Sequence, residues 1–329
     1  MKLKKMLCVI LAALFCMAVF AGCSGDDSES EAGEKLEIGI VQIEDHLSLN
    51  QIRDSIISEI EAQGYGDRVD IECQNANGSN DNVNTICQKF VGDGKDLIIA
   101  IATPTAQAAA RAAGDIPVIF SAVTDPVAAN LVNSLEAPGG NVTGTSDIIP
   151  VDEIFRLASE MTPDATNFGF LYNSGEVNSV SVIEEAKAYC DANGLTYTEA
   201  TLTNTSEVQQ AVQSLIGSGV DAIFTPIDNT VAKAMEIVKN ETIKAQIPVY
   251  PGADSMVIDG GLATVGIDYE VLGQKTAQMV IDVLFNGKTP GEIPVESLES
   301  FSAIINKTTA EAIGVEIPPD RLDSATIVE

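Results

Sequence analysis

Leu36-Glu37-Ile38-Gly39-Ile40-Val41 is a near-continuous apolar run of strand length, which is how a strand covered on both faces of a parallel sheet reads. Apolar residues then recur at helical spacing, Ile52, Ile56, Ile57 and Ile60, until Gly64. The same alternation continues with a strand at 69–73, a helix at 80–91, a strand at 96–102, a helix at 104–113 and a strand at 116–120. The second half repeats it: strand 167–172, helix 179–193, strand 196–200, helix 206–217, strand 221–225, helix 230–239 and strand 248–251. Equivalent landmarks lie about 130 residues apart, Ile38 against Phe168, Asp96 against Asp221, and Ile116-Pro117-Val118 against Ile247-Pro248-Val249. Two similar α/β lobes, each a doubly wound parallel sheet, follow from this order. A strand at 262–267, a helix at 269–285 and a strand at 300–306 extend the pattern.

The start of the chain has a different character. Lys2, Lys4 and Lys5 precede an apolar run from Met6 to Phe20 and then Ala21-Gly22-Cys23. A basic start, an apolar core too short to remain as a spanning helix, and small residues before a cysteine describe an exported, cleaved signal over 1–22. The ending resembles a bacterial lipobox, with Phe20 where leucine is usual, and that resemblance implies cleavage before Cys23 and a lipid on its sulfur. An uncleaved anchor, or a secretory signal cut elsewhere, is the alternative. Ser24-Gly25-Asp26-Asp27-Ser28-Glu29-Ser30-Glu31 then reads as part of a solvated acidic tether over 23–34. The expectation is an extracytoplasmic protein anchored by lipid to the bacterial cell membrane, with two or three acyl chains because one binds only marginally.

Beyond the signal the chain is still longer than the 250–300 residues or so at which single cores stop growing. A formal charge of −30 repels nucleic acid and anionic headgroups. Of six cysteines, Cys73, Cys87 and Cys190 remain after the signal and Cys23 are set aside. That odd number argues against a disulfide framework, although a Cys73 to Cys87 bridge stays open in an oxidising compartment. One histidine, His46, and no CxxC pair leave almost nothing for a zinc site or a His-assisted nucleophile. His46 itself reads as a loop residue near a strand end. No enzyme, metal or cofactor is expected.

Ligands of open parallel sheets bind beyond the carboxyl ends of the strands, and here those ends are polar. They carry Gln42; Thr103 and Thr105 around Pro104; Ser121, Thr124 and Asp125; and, in the second half, Asn173, Ser174, Asn178, Ser179, Asp228, Asn229 and Asp254. Thr103 reads as a helix N-cap with Pro104 at the first helical position, so free N–H groups there can seat a carboxylate, although plain capping uses the same atoms. Asp228 can accept from a ligand ammonium or cap the helix that follows. Asp125 and Asp254 carry the same ambiguity, with turn chemistry favoured for Asp125. A ligand with an anionic and a cationic end suits this set, and an α-amino acid is the simplest. The aromatic residues Phe120, Phe155, Tyr172, Tyr250 and Tyr269 read as core, and the absence of tryptophan weakly disfavours sugar binding.

Six segments in order resemble ABC transporter substrate-binding lipoproteins of the tryptophan/tyrosine type. They are Ala102-Thr103-Pro104-Thr105-Ala106-Gln107, Phe120 to Pro126, Asn141 to Asp147, Tyr172 to Ser179, Asp228-Asn229-Thr230-Val231 and Ala263 to Tyr269. The resemblance implies a type I periplasmic-binding-protein fold whose lobes close on a small solute, most simply tyrosine, tryptophan or phenylalanine. It also implies delivery to a membrane permease driven by an ATPase. Thr145, Ser146 and Asp268 join the cleft residues on that basis, and a shorter acid, Asp254, stands where a glutamate is common. It further implies lobes formed by 35–146 with 268–290 and by 147–267 with 291–329, joined by hinge crossings near 145–151, 266–268 and 290–294. A monomer is expected. A ligand-sensing receptor of the same fold, or an importer receptor for a sugar or nucleoside, is the alternative. A nucleotide-using Rossmann enzyme fits worst, because Val41 to His46 lacks G-x-G-x-x-G.

Overall fold

The computed structural model describes residues 35–329. The signal, the tether and Cys23 lie outside the described residues. In chain order the first lobe opens with β1 (Leu36–Gln42), α1 (Leu47–Ala62), β2 (Val69–Asn75), α2 (Asn80–Asp93), β3 (Leu97–Ile101), α3 (Thr103–Ala112), β4 (Val118–Ser121) and β5 (Val142–Ser146). The second lobe follows with α4 (Val151–Met161), β6 (Asn167–Asn173), α5 (Val177–Asn193), β7 (Thr196–Leu202), α6 (Val208–Gly217), β8 (Ala222–Thr225), α7 (Asn229–Lys233), α8 (Met235–Ala245) and β9 (Val249–Pro251). Then come α9 (Asp254–Ile258), β10 (Ala263–Gly266), α10 (Tyr269–Leu284), β11 (Glu296–Ser297), β12 (Ser302–Asn306), α11 (Lys307–Ile313), α12 (Pro319–Ser324) and β13 (Thr326–Val328).

The first sheet runs β11-β5-β4-β3-β1-β2 and is parallel throughout. Every residue of β3, β4 and β5 is buried, which explains the apolar runs at 97–101 and 118–120. The second sheet runs β7-β6-β8-β9, also parallel. A third, mixed sheet, β10-β12-β13, adjoins it where the Leu262 amide donates to the Val249 carbonyl. The second lobe is centred on aromatic packing: the Phe155 ring lies 4.9 Å from Phe168, 4.9 Å from Tyr189 and 5.2 Å from Phe224. Phe120, Tyr172 and Tyr250 are buried, as a core reading requires. All three cysteines of the described residues are free, so Cys73 and Cys87 are not bridged.

Helix α10 returns to pack along α1 and against β4 and β5. Its Thr276 hydroxyl lies 2.8 Å from that of Ser121 and 2.9 Å from that of Thr145, a buried triangle that ties the returning helix to the sheet. The chain passes between lobes at 147–150, 267–268 and 298–301. The last passage is later than the family resemblance implies. Residues 291–297 stay with the first lobe, because Glu296 and Ser297 pair with Thr145 and Ser146 and the Ile293 carbonyl accepts from the Thr143 hydroxyl at 2.7 Å. The helix expected at 230–239 is two helices, broken at Ala234.

Gly144 in β5 pairs with Phe120 in β4, and a Cβ at Gly144 would overlap the Phe120 carbonyl oxygen. Backbone cannot yield there as a flexible side chain can. Gly144→Ala is therefore expected to destabilise the protein by about 3 kcal/mol in urea unfolding, as overpacking of a rigid site does.

Candidate functional site

In each parallel sheet the strand carboxyl ends and the N-termini of the helices that follow lie at one edge. The two edges meet across a tightly closed cleft. The first lobe contributes His46, Ser48 and Leu49 from the start of α1, and Ala102 and Thr103 from the start of α3. The second lobe contributes Asn178, Ile227 and Asn229. Thr124, Asp147 and Tyr269 close the cavity beside the hinge.

Neither α1 nor α3 has a side-chain cap. Their N-cap residues are His46 and Ala102, and the starts of both helices, the positive ends of their dipoles, line the cavity. The threonine expected as the α3 cap, Thr103, is instead its first helical residue. Ala102 at φ 81° and Ala122 at φ 56° both line the cavity in a backbone region that strongly favours glycine. Conformations of that kind cost about 1–3 kcal/mol each and cluster where backbone must meet a ligand.

The hinge side has the opposite charge. Asp147 is 2 % exposed, and burial pushes its carboxyl up to about 6 against the Thr124 hydroxyl, which donates to it at 2.8 Å. Burial, then Asp268, pushes Asp254 up to about 7. Burial, with Asp147 and Asp254 adding to it, raises the Tyr269 phenol well above its ordinary value. His46 is pushed down to about 4 by burial, against the opposing influence of Asn229, Glu44 and Asp45. It is a neutral imidazole at pH 7, with one donor and one acceptor nitrogen. Both His46 nitrogens, Asn178 Oδ1, Tyr269 OH and Asp254 Oδ1 are buried without a partner inside the protein. Such atoms cost about 1–3 kcal/mol apiece unless something meets them, and four of these five belong to residues that line the one cleft.

Of the residues singled out from sequence, Thr103, Thr124, Asn178 and Asn229 line this cavity. Asp254 lies beside Tyr269 at its edge. Gln42 is buried behind it, its amide donating to the Glu44 carbonyl at 2.6 Å and to Asn50 at 2.8 Å. The others are occupied within the protein. Thr105 donates to the Ile101 and Ala102 carbonyls, Ser121 and Thr145 join Thr276, and Ser146 donates to the Thr124 carbonyl. Asp268 caps α10 through the Glu270 and Val271 amides, and Ser174 is exposed. Asp125 accepts from the Ser181 hydroxyl at 2.8 Å, a contact between lobes.

Asp228 is fully buried and caps α7 by accepting from the Val231 amide at 2.9 Å. Its other oxygen accepts from the Asn173 amide at 2.6 Å and the Ser179 hydroxyl at 2.7 Å. Burial, then the neighbouring Glu176, raises its carboxyl. Of the two roles open to Asp228 in the sequence, the structure gives it capping. His46, Asp147 and Tyr269 were not among the expected site residues. The first read as a loop residue and the last as core, and the signal that finds them is their place at a helix start or hinge, beside a strand end.

Two doubly wound lobes closing a polar cleft beyond their strand ends define a type I periplasmic binding protein. Residues 37–328 match the model for ABC transporter substrate binding proteins, and the chain belongs to that family. It is 40% identical over 325 residues to the tyrosine-binding protein of Clostridioides difficile (strain R20291), spanning 96% of this chain and 94% of that protein. A structure of an ABC domain from Streptococcus pneumoniae in complex with L-Trp is 39% identical, with a TM-score of 0.86 over 90% of this chain and all of that one. The ligand-free, open structure of a substrate binding protein with adhesive properties from Clostridium difficile is also 39% identical, over 89% of this chain and 99% of that one, but its TM-score is 0.68. At equal identity this chain fits the L-Trp complex better than the open form, in keeping with the contacts that join its lobes.

Asp228→Ala strands the Asn173 and Val231 amides and the Ser179 hydroxyl in a buried site. A loss of roughly 3 kcal/mol in the stability of the ligand-free protein is expected from urea unfolding, whereas a residue serving only ligand would leave that stability unchanged.

Proposed function

We propose that this protein captures a free α-amino acid with an aromatic side chain, tyrosine or tryptophan first, and hands it to an ABC permease and its ATPase. The observation that carries the reading is the dipolar cavity, with uncapped helix N-termini on one wall and a buried carboxylate beside the hinge on another. An α-carboxylate suits the starts of α1 and α3, with the His46 N–H as a further donor. An ammonium suits Asp147, with Tyr269 OH as an acceptor. Leu49, Ile227, Ala102 and Ala122 supply an apolar wall for the side chain. The tyrosine-binding and L-Trp-bound relatives support the aromatic assignment. On this reading Thr103, Thr124, Asn178 and Asn229 meet the ligand, with Asp254 beside them.

A ligand ammonium favours ionised Asp147, so binding lowers that carboxyl from its free value of about 6. Affinity for L-tyrosine is accordingly full above that pH and declines as pH falls through it. Calorimetric titration at pH 7.5 should give saturable binding, weakened about a hundredfold by Asp147→Asn through loss of a charge-assisted contact. Wild-type affinity in the variant would remove the ammonium site.

The family operates outside the cytoplasm, and we read Cys23 as its lipid anchor and the protein as a monomer. Cys23→Ser is expected to abolish palmitate labelling and release the protein from membranes. Labelling that persists would point to another anchor.

A further inference from the structure

Glu44 and Lys233 form, among the described residues, the one ion pair that joins the two lobes, with Lys233 Nζ 2.6 Å from Glu44 Oε1. Glu44 follows β1 and stands two residues before His46, and its carboxylate also accepts from the Asp45 amide at 2.9 Å. Lys233 ends α7, the short helix that begins at Asn229. The pair therefore clasps the two segments that carry His46 and Asn229 to opposite walls of the cavity.

Its partners are unequal. The Glu44 side chain is 4 % exposed and that of Lys233 is 42 % exposed. In the closed form Glu44 is a carboxylate withdrawn from water, and Lys233 is its cationic partner. Its surroundings are otherwise acidic: buried Glu176 lines the same cleft as Glu44 and Lys233, and Asp45 adjoins Glu44. When the lobes part, water can solvate Glu44. Loss of Lys233 thus penalises the closed form and spares the open one, since a buried charge without a partner is what costs most.

We propose that Glu44 and Lys233 are positioning residues whose ion pair sets how long the closed cleft retains its ligand. The inference rests on the amino-acid reading only for the choice of probe. It predicts an asymmetry. Lys233→Met leaves a buried carboxylate unpaired, whereas Glu44→Gln leaves a lysine that water still reaches, so the first change is the more damaging.

The test is stopped-flow binding and release of L-tryptophan by the full chain, together with small-angle scattering of the ligand-free protein. Release is expected to quicken about tenfold in Lys233→Met and about twofold to threefold in Glu44→Gln, with association little changed. The double exchange of Glu44→Lys with Lys233→Glu should return release to within about threefold of wild type. An unchanged release rate in Lys233→Met overturns the proposal. So does a loss that the exchange fails to rescue, which would make Lys233 a direct ligand contact. If wild type binds no aromatic amino acid, the amino-acid reading fails, and the clasp is judged from scattering alone. A larger radius of gyration in Lys233→Glu, reversed by the exchange, sustains it, and identical curves overturn it.

Discussion

A parallel sheet forces its strand carboxyl ends and the N-termini of the following helices to one edge, and the rest of this structure depends on that constraint. Set edge to edge, two such sheets bring uncapped amides, short polar side chains and turn carboxylates into one enclosed volume. Burial then decides what each group does. Amides at the starts of α1 and α3 have no side-chain cap, while Asp147 is held from water with its carboxyl pushed up to about 6. A dipolar solute matches these walls better than either a cation or an anion alone.

Most polar residues at the strand ends serve the protein first. Asp228, Asn173 and Ser179 bind one another around the start of α7, and Glu176 accepts from the Asn229 and Thr230 amides on the same helix. Ser121, Thr145 and Thr276 secure the returning helix. The contacts of Asp228 and Glu176 anchor the start of α7, which carries Asn229 to the cavity wall. Among the buried polar atoms left without a protein partner are those of His46, Asn178 and Tyr269, which line the cleft, and of Asp254 near its rim.

That division explains which features could be read without coordinates. Repeated apolar runs spaced about 130 residues apart carry the two-lobed fold, because a strand buried on both faces leaves a mark in composition that needs no partner to interpret. Strand ends were likewise legible as the place for a ligand. Which polar residue there meets the ligand was not, since Asp228 as a cap and Asp228 as an ammonium acceptor have the same sequence. Three-dimensional partners separate them. His46 and Tyr269 escaped notice for the converse reason: a lone histidine after a strand and a tyrosine at a helix start look ordinary until both are found with buried, unpartnered polar atoms around one cavity. The late crossing at 298–301 escaped because β11 is only two exposed residues long and has no apolar signature.

The claim that the cleft reads both charges of an amino acid is tested most directly by comparing L-tryptophan with tryptamine and indole-3-propionate, each lacking one charge. The chain contains no tryptophan, so indole emission reports the ligand alone. Saturable binding of L-tryptophan, with both analogues weaker by about a hundredfold, is the expected result. Binding of either analogue as tight as that of L-tryptophan would contradict the dipolar site.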